Sequence, residues 1–334
     1  MARTHSKAAT TLDDLLNRAK TRPPIRVAVV AADQALVLQT IKEATSLGLI
    51  VPRLIGDPDA ILAGAKEIGL TIRRETIIAA NSEAEAARAG VDLVRSGDAD
   101  AVMKGYIHTD ILMRALLDST RGLRIPGQRV SHVFMIDIPS YPKLLAVTDA
   151  AINITPDLTA KQQILQNAVA LLHHLGTTTP KVAVLSAVET VNPAITSTLD
   201  AASLAVMAQR GQISGAIIDG PMAFDNAISA AAAREKGIVS EVAGDVDILL
   251  VPDLVSGNIL AKNLAGATAA GIVLGLSVPV VLNSRAGPPS ARLAALALAV
   301  LMHRPAPPQQ RTEEPEAVIH CAAQAESACC PIGV

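Results

Sequence analysis

A serine and an arginine stand side by side at Ser284 and Arg285, in the stretch VVLNSRAGPPS over residues 280–290. An apolar run stops at Asn283, and Gly287, Pro288 and Pro289 then neither continue a strand nor start a helix at once. A guanidinium offers a planar fork of donors that matches phosphate and stays charged at any working pH. A serine hydroxyl can donate to an oxygen on which negative charge develops during attack at a carbonyl. The pair therefore suits phosphate binding and acyl chemistry. Position alone leaves a plainer reading open, in which Ser284 is a turn residue and Arg285 reaches solvent.

Two more stretches share this character. In KGYIHTD (104–110), Lys104 closes an apolar run, Gly105 allows close backbone approach, and His108 and Thr109 precede a helix start. Lys104 can meet a phosphate as a point charge, and Thr109 can cap a helix whose N-terminus attracts an anion. Capping alone would also account for Thr109, with His108 simply at the surface. In VPDLVSGNILAK (251–262), Ser256, Gly257 and Asn258 follow Asp253, with Lys262 four residues beyond Asn258. Gly257 is expected to let exposed N–H groups face a ligand, as in an anion-binding nest. A plain strand-to-helix turn would ask for the same residue types.

Several familiar sites are excluded. The first apolar run continues as VVAADQALVL without a glycine, so no G-x-G-x-x-G follows it. There is no G-x-x-x-x-G-K-[ST], no G-x-S-x-G and no H-E-x-x-H. Any phosphate must be held by side chains and helix N-termini. Aromatic residues make up 1% of the chain, with no Trp, so the stacking platforms of a single-strand nucleic-acid binder are missing. A formal net charge of −2 argues against nucleic acid or an anionic membrane as partner.

These residues need elements to hold them. Apolar runs of strand length recur at 25–32, 100–105, 132–138, 181–187, 215–220, 247–253 and 278–284. They are continuous rather than alternating, as expected of parallel strands covered on both faces. Helix-period stretches lie between them, which predicts an α/β protein. In the clearest, 155–176, Thr155 is placed to cap and Pro156 to open the helix. Leu158, Leu165, Ala168, Leu172 and Leu175 form its buried stripe, and Gly176 ends it. The polar residues gather after the strands, at 104–110, 186–193, 219–226, 252–258 and 283–287. The carboxyl ends of a parallel sheet form the ligand crevice, so these loops predict one polar site.

Half of the 334 residues are apolar, enough for a large core without disulfides or metals. The N-terminal stretch has scattered charges and no apolar segment of the secretory kind. The longest uncharged run, 264–283, contains Gly266, Gly271, Gly275 and Pro279 and reads as a small-residue helix followed by a β-branched strand, not a membrane span. Residues 304–317 are rich in Pro, Gln and Glu and read as a flexible tail. Cys321, Cys329 and Cys330 lie beyond it, with no zinc-ligand spacing around His320. The body has no cysteine, which suits a reducing, cytoplasmic compartment.

Taken in order, the loops resemble the phosphate acetyltransferase and phosphate butyryltransferase family. The matching stretches are MKGYIHTD, RVSHVFMID, TDAAINITPDL, LSAVETVNPAI, DGPMAFDNAIS, VAGDVDILLVPDLVSGNILAK and GIVLGLSVPVVLNSRA, spread from Pro24 to Met302. The chain is most similar to the branch sometimes fused to an enoyl-CoA hydratase-like domain. The resemblance implies reversible acyl transfer between coenzyme A and phosphate, with acyl-CoA, phosphate and acyl phosphate as small-molecule partners. It also implies two α/β/α domains with a cleft between them, like isocitrate and isopropylmalate dehydrogenases, and a homodimer. The first domain would be 1–133 plus 273–303, the second 134–272, and 304–334 a tail. No cofactor beyond coenzyme A as substrate is implied, and activation by a monovalent cation is unassigned.

Carried over residue by residue, Ser284 and Arg285 fall on the family's catalytic pair, with Arg285 on the phosphoryl group and Ser284 on the oxyanion. Arg129, before Val130 and Ser131, falls near an arginine associated with coenzyme A. Asn258 and Lys262 fall on the family's GN…K loop. Two departures concern the thiol proton. The aspartate that acetyltransferases carry seven residues beyond the serine is Ala291 here, and the aspartate of the butyryl branch is Gly287. With no carboxylate in 284–292, the candidate bases elsewhere are Asp225 and Glu189, or the substrate phosphate itself. A metal- and NAD-dependent hydroxyacid dehydrogenase on the same fold is the alternative, with Asp219 and Asp225 as its closely spaced acids. A non-catalytic protein binding coenzyme A or acyl phosphate is a third reading.

Overall fold

The computed structural model describes residues 8–264, 268–283 and 288–303. Ser284, Arg285, Gly287 and the tail from 304, with its three cysteines, lie outside the described residues.

In chain order the first elements are α1 (Leu12–Ala19), β1 (Ile25–Val30), α2 (Ala35–Ser46), β2 (Ile50–Gly56), α3 (Pro58–Glu67), β3 (Ile78–Ala79), α4 (Glu83–Arg95), β4 (Ala101–Lys104) and α5 (Thr109–Leu116). Then come β5 (Ser131–Asp137), β6 (Leu145–Thr148), α6 (Leu158–His174), β7 (Lys181–Leu185), α7 (Thr196–Gln209) and β8 (Ile217–Met222). The last are α8 (Phe224–Ile228), α9 (Ala230–Glu235), β9 (Ile248–Leu250), α10 (Leu254–Leu264), β10 (Thr268–Leu274), β11 (Val280–Val281) and α11 (Pro289–Met302). The strands form one 11-stranded sheet in the order β3-β2-β1-β4-β11-β10-β5-β6-β9-β7-β8.

Helices cover both faces, which is why the strands read as unbroken apolar runs. Val27 and Val29 of β1 face the core under α1, α2, α3, α6, α7 and α11. Ala28 and Val30 face the opposite side, under α4 and α5. Over the second half of the sheet that opposite side is closed by α8 and α10, through Ala227 and Ala261. α11 has no polar face to speak of: every residue from Ala291 to Leu301 is buried, against α1, α2 and β10. Ala291, where the family's aspartate would stand, therefore faces the interior.

The strands expected at 25–32, 100–105, 132–138, 181–187, 215–220, 247–253 and 278–284 are all present, β5 and β8 at full length but shifted by one and two residues and the others shortened. The expectation of parallel pairing holds for each half but fails at the centre. β1, β2, β3, β4 and β11 are mutually parallel, as are β6, β9, β7 and β8. Between them β10 runs antiparallel to both β11 and β5, and β5 runs antiparallel to β6. Three reversals mean that the two parallel halves point in opposite senses. The boundaries expected at 133/134 and 272/273 fall inside β5 and β10, where the halves meet.

Three local readings are corrected. The small-residue helix expected at the start of 264–283 is the strand β10, paired with β5 over Thr268–Leu274 and with β11 at Ile272 and Val273, so tertiary pairing overrides its Ala- and Gly-rich composition. α6 starts at Leu158 and not at Pro156, because Asp157 is the cap and its Oδ1 accepts from the Ala160 N–H at 2.7 Å. Of its expected apolar stripe Leu165, Ala168, Leu172 and Leu175 are buried and Leu158 half-buried, and Gly176 follows with φ of +98°. α5 is preceded by His108 at the cap position, with Thr109 as its first residue.

Candidate active site

The two directions of the sheet sort the candidate residues into two groups. The carboxyl ends of β1, β4 and β11 deliver Lys104, Gly105 and the start of the Ser-Arg loop to one end of the sheet. The carboxyl ends of β6, β7, β8 and β9 deliver Glu189, Asp225, Ser256, Gly257 and Asn258 to the other. The single crevice expected from the loops is thus two sets of loops.

At the first end, Lys104 is the buried last residue of β4. Val281 pairs with Met103, so Lys104 is level with Leu282 at the end of β11. Its Nζ donates to the Gly105 carbonyl at 3.4 Å. Gly105 does make a close approach, but to protein: an added Cβ would stand 2.1 Å from the Ala31 carbonyl oxygen. The Gly105 and Tyr106 N–H groups donate to Val30 and Ala31, each at 2.8 Å, so the loop follows β1 outward. Ala31 itself takes a left-handed φ of +58°. His108 is exposed, with Nδ1 2.9 Å from Glu83 Oε1 and its N–H donating to Glu83 Oε2 at 3.1 Å. A pocket of about 360 Å³ beside it is lined by Asp33, Asn81, Ser82, Glu83 and Tyr106 among others. Burial pushes the Asp33 carboxyl above its ordinary range.

Lys262 belongs with this end. α10 carries the chain from the end of β9 to the start of β10, and β10 starts beside the end of β11. Lys262 lies exposed in the last turn of that helix.

At the second end, Arg129 precedes β5 and is held from two sides. Its Nε donates to Gln163 Oε1 at 3.0 Å and its Nη1 to Asn153 Oδ1 at 3.1 Å. Asn153 is fixed in turn by Asp149 Oδ2 at 2.6 Å and the Val130 carbonyl at 2.9 Å. A guanidinium held by neutral amides keeps its full charge for a ligand. Arg124 and Gln128 complete a pocket of about 380 Å³ around it. Ser131 does not face this pocket: it is fully buried, and its Oγ accepts from Asn167 at 2.9 Å.

Gly257 is also not part of an open nest. It lies inside α10, its N–H donates to the Asp253 carbonyl, and an added Cβ would meet Val251 Cγ2 at 2.6 Å and the Asp149 carbonyl at 3.0 Å. Its smallness seats α10 on the 149–150 backbone, where Asn258 Nδ2 donates to the Ala150 carbonyl at 3.0 Å. Ser256 is tied to Asp253, its N–H donating to Oδ1 at 2.8 Å and its hydroxyl to the carbonyl at 3.0 Å. It also lines a larger cavity of about 810 Å³, with Leu158, Leu185, Phe224, Leu260 and the ion pair Lys161–Asp200.

The two candidate bases share one cation. Lys236 Nζ lies 3.0 Å from Asp225 Oδ2 and 3.4 Å from Glu189 Oε2. The hydrogen bond from Lys236 holds the Asp225 carboxyl below the usual range. Both carboxylates sit at the second end of the sheet, after β7 and β8. Asp219, the other acid of the dehydrogenase reading, accepts from the Gly220 N–H at 2.8 Å. Asn153 and Gln163 went unread in the sequence. The stretch TDAAINITPDL holds the first, but nothing local tells that its partner is Arg129.

The chain matches the family model described as phosphate acetyl/butaryl transferase over residues 78–300. A phosphate acetyltransferase of Rhizobium meliloti is 51% identical over 263 residues, 78% of this chain and 83% of that one. A phosphate butyryltransferase of Clostridium acetobutylicum is 39% identical, covering 87% of this chain and 97% of that one. Among solved structures, a branched-chain phosphotransacylase from Enterococcus faecalis superposes with a TM-score of 0.71 at 30% identity, over 84% of this chain and all of that one. A Streptococcus pyogenes phosphotransacetylase has the same fold, with a TM-score of 0.70 at 23% identity over 87% of this chain and 97% of that one. Fold and sequence together define an α/β acyltransferase. The chain belongs to the phosphate acetyl/butaryl transferase family.

Proposed function

We propose that this acyltransferase exchanges an acyl group between coenzyme A and phosphate by direct attack, with Ser284 and Arg285 as the reacting pair. In one direction the thiol sulfur of coenzyme A bonds to the acyl phosphate carbonyl, and the bond from that carbon to the phosphate oxygen breaks. The thiol proton ends on the departing phosphate, so acyl phosphate and coenzyme A become acyl-CoA and hydrogen phosphate with nothing else consumed. A free thiol with a pKa near 8.5 is only a few per cent ionised at neutral pH, so a positive field from Arg285 and Lys104 favours its attack.

The observation that carries this reading is the buried Lys104 at the end of β4, level with the last residues of β11 before the Ser-Arg pair. Arg285 binds the phosphoryl group and Ser284 donates to the oxyanion. Lys262 adds charge at the same end of the sheet, and Arg129, in its amide cradle, takes coenzyme A phosphates. The protein works as a cytoplasmic homodimer with two domains flanking the cleft, and coenzyme A is needed only as substrate.

Thiol release from acetyl-, propionyl- and butyryl-CoA in the presence of phosphate tests the reading. Ser284→Ala should lower kcat roughly 10²-fold with KM little changed, as for loss of one oxyanion donor. A Ser284→Ala enzyme at full speed overturns the serine's role. Absence of turnover with all three substrates points instead to a binding protein.

A further inference from the structure

The two residues after β11, Leu282 and Asn283, leave the sheet by an unusual exchange of partners. Ile272 pairs with Val281 and Val273 with Val280, so Leu282 stands opposite Gly271. The Leu282 N–H donates to the Gly271 carbonyl at 3.0 Å, which makes this a hydrogen-bonded pair. In a regular antiparallel ladder the Gly271 N–H would answer by donating to the Leu282 carbonyl. It donates to the Asn283 side chain instead, to Oδ1 at 3.0 Å. Asn283 Nδ2 donates to the Ala269 carbonyl at 3.3 Å, so the side-chain amide occupies the place of the next peptide group.

The displaced Leu282 carbonyl has turned over the face of β10. An added Cβ on Gly271 would stand 2.2 Å from that oxygen, so only glycine fits beneath it. The oxygen meets His132, which reaches across β10 from β5 with Nε2 at 3.3 Å. His132 is fully buried and edge-on to Phe134, and its Nδ1 has no hydrogen-bond partner among the described residues. A carbonyl can only accept, so Nε2 carries the hydrogen. An apolar ring would fill this space without leaving a buried nitrogen unpaired. The donor is therefore the reason for a histidine here.

We infer that Asn283 and His132 are positioning residues for acyl transfer: together they hold the 282–283 peptide out of the ladder and so set how the chain leaves β11 toward Ser284 and Arg285. This rests on the reading of that pair given above. Each residue satisfies one group that the turned peptide leaves open. Asn283 takes the Gly271 N–H and His132 takes the Leu282 carbonyl.

The test is steady-state kinetics on the full-length enzyme with acetyl- or butyryl-CoA and phosphate, well below the thermal transition of each variant. Asn283→Ala and His132→Phe should each lower kcat about 10- to 100-fold with KM for acyl-CoA within about twofold, since misplacement near 1 Å costs that much. His132→Gln, whose amide nitrogen can stand where Nε2 stands, should recover kcat to within about threefold. Amide exchange at Gly271 should quicken in Asn283→Ala, a readout that does not depend on turnover. Wild-type kcat in both Asn283→Ala and His132→Phe overturns the inference. So does a His132→Gln enzyme as slow as His132→Phe, because the role is then packing. A wild-type enzyme without thiol release overturns the functional reading and this inference with it.

Discussion

Lys161 of α6 and Asp200 of α7 meet at 2.6 Å between Nζ and Oδ2, in the wall of the cavity of about 810 Å³. Their side chains are 7% and 20% exposed, so this is a largely desolvated pair. Removing one partner leaves a buried charge, which costs far more than the pair gains over an apolar substitute. Lys161→Met should therefore lower unfolding stability by about 3 kcal/mol, and Lys161→Met with Asp200→Leu should regain most of it. Urea unfolding of the single and double variants checks this. Equal losses in both would show that the pair itself, not the orphaned carboxylate, matters.

Asp225 and Glu189 are expected to be spectators of proton transfer. Lys236 depresses the Asp225 carboxyl, so it is ionised throughout the neutral range and a weaker base than an ordinary carboxylate. Asp225→Asn and Glu189→Gln should keep the wild-type pH–rate profile between about pH 6 and 9. Loss of the acidic limb in either variant would return that residue to the chemistry.

Gly105 should tolerate no side chain. The Ala31 carbonyl at 2.1 Å from a notional Cβ is backbone and cannot swing away. Gly105→Ala should cost about 2 kcal/mol or more through overpacking. It should also lower activity, because Lys104 is its neighbour. At Gly97, where φ is +78° and nothing lies within 4 Å, alanine should cost only about 1 kcal/mol of backbone strain. Thermal melts of the two variants separate contact from conformation.

Asp118 provides an acid-side marker. Its Oδ1 accepts from the Arg121 N–H, the Thr120 N–H and the Thr120 hydroxyl, each at 2.8 Å. These bonds, the Arg121 N–H foremost, hold its pKa at about 2. A depressed carboxyl contributes fully above its unfolded value and loses that contribution as pH falls through the folded one. The turn at 118–121 should thus persist at pH 4 and loosen only toward pH 2. A carboxyl NMR titration with a midpoint near 4 would contradict this.

How much of this was readable in the chain differs by element. β1, β4, β7 and β9 are buried on both faces, so their apolar runs declare them. β10 has the sequence TAAGIVL, whose small residues read as helix. Only its two flanking strands, brought from elsewhere in the chain, make it a strand. The same limit hid the reversal at the centre of the sheet, and with it the separation of the loops into two ends. Lys104 at a strand terminus was legible. Gln163, 34 residues from the Arg129 it holds, was not, because no local pattern announces a distant partner.

The place of β11 has a consequence for the newborn chain. β4 takes its second neighbour from residues 280–281, and α11 then packs on α1 and α2. While the ribosome makes everything from β5 to β10, the edge of β4 has no partner from its own half. At about 5–20 residues per second that interval is on the order of ten seconds or more. An open apolar strand edge is a template for pairing with other chains. The strand that precedes Ser284 and Arg285 is thus also the piece that ends this exposure, and chains cut short before residue 280 should aggregate even with the first four strands intact.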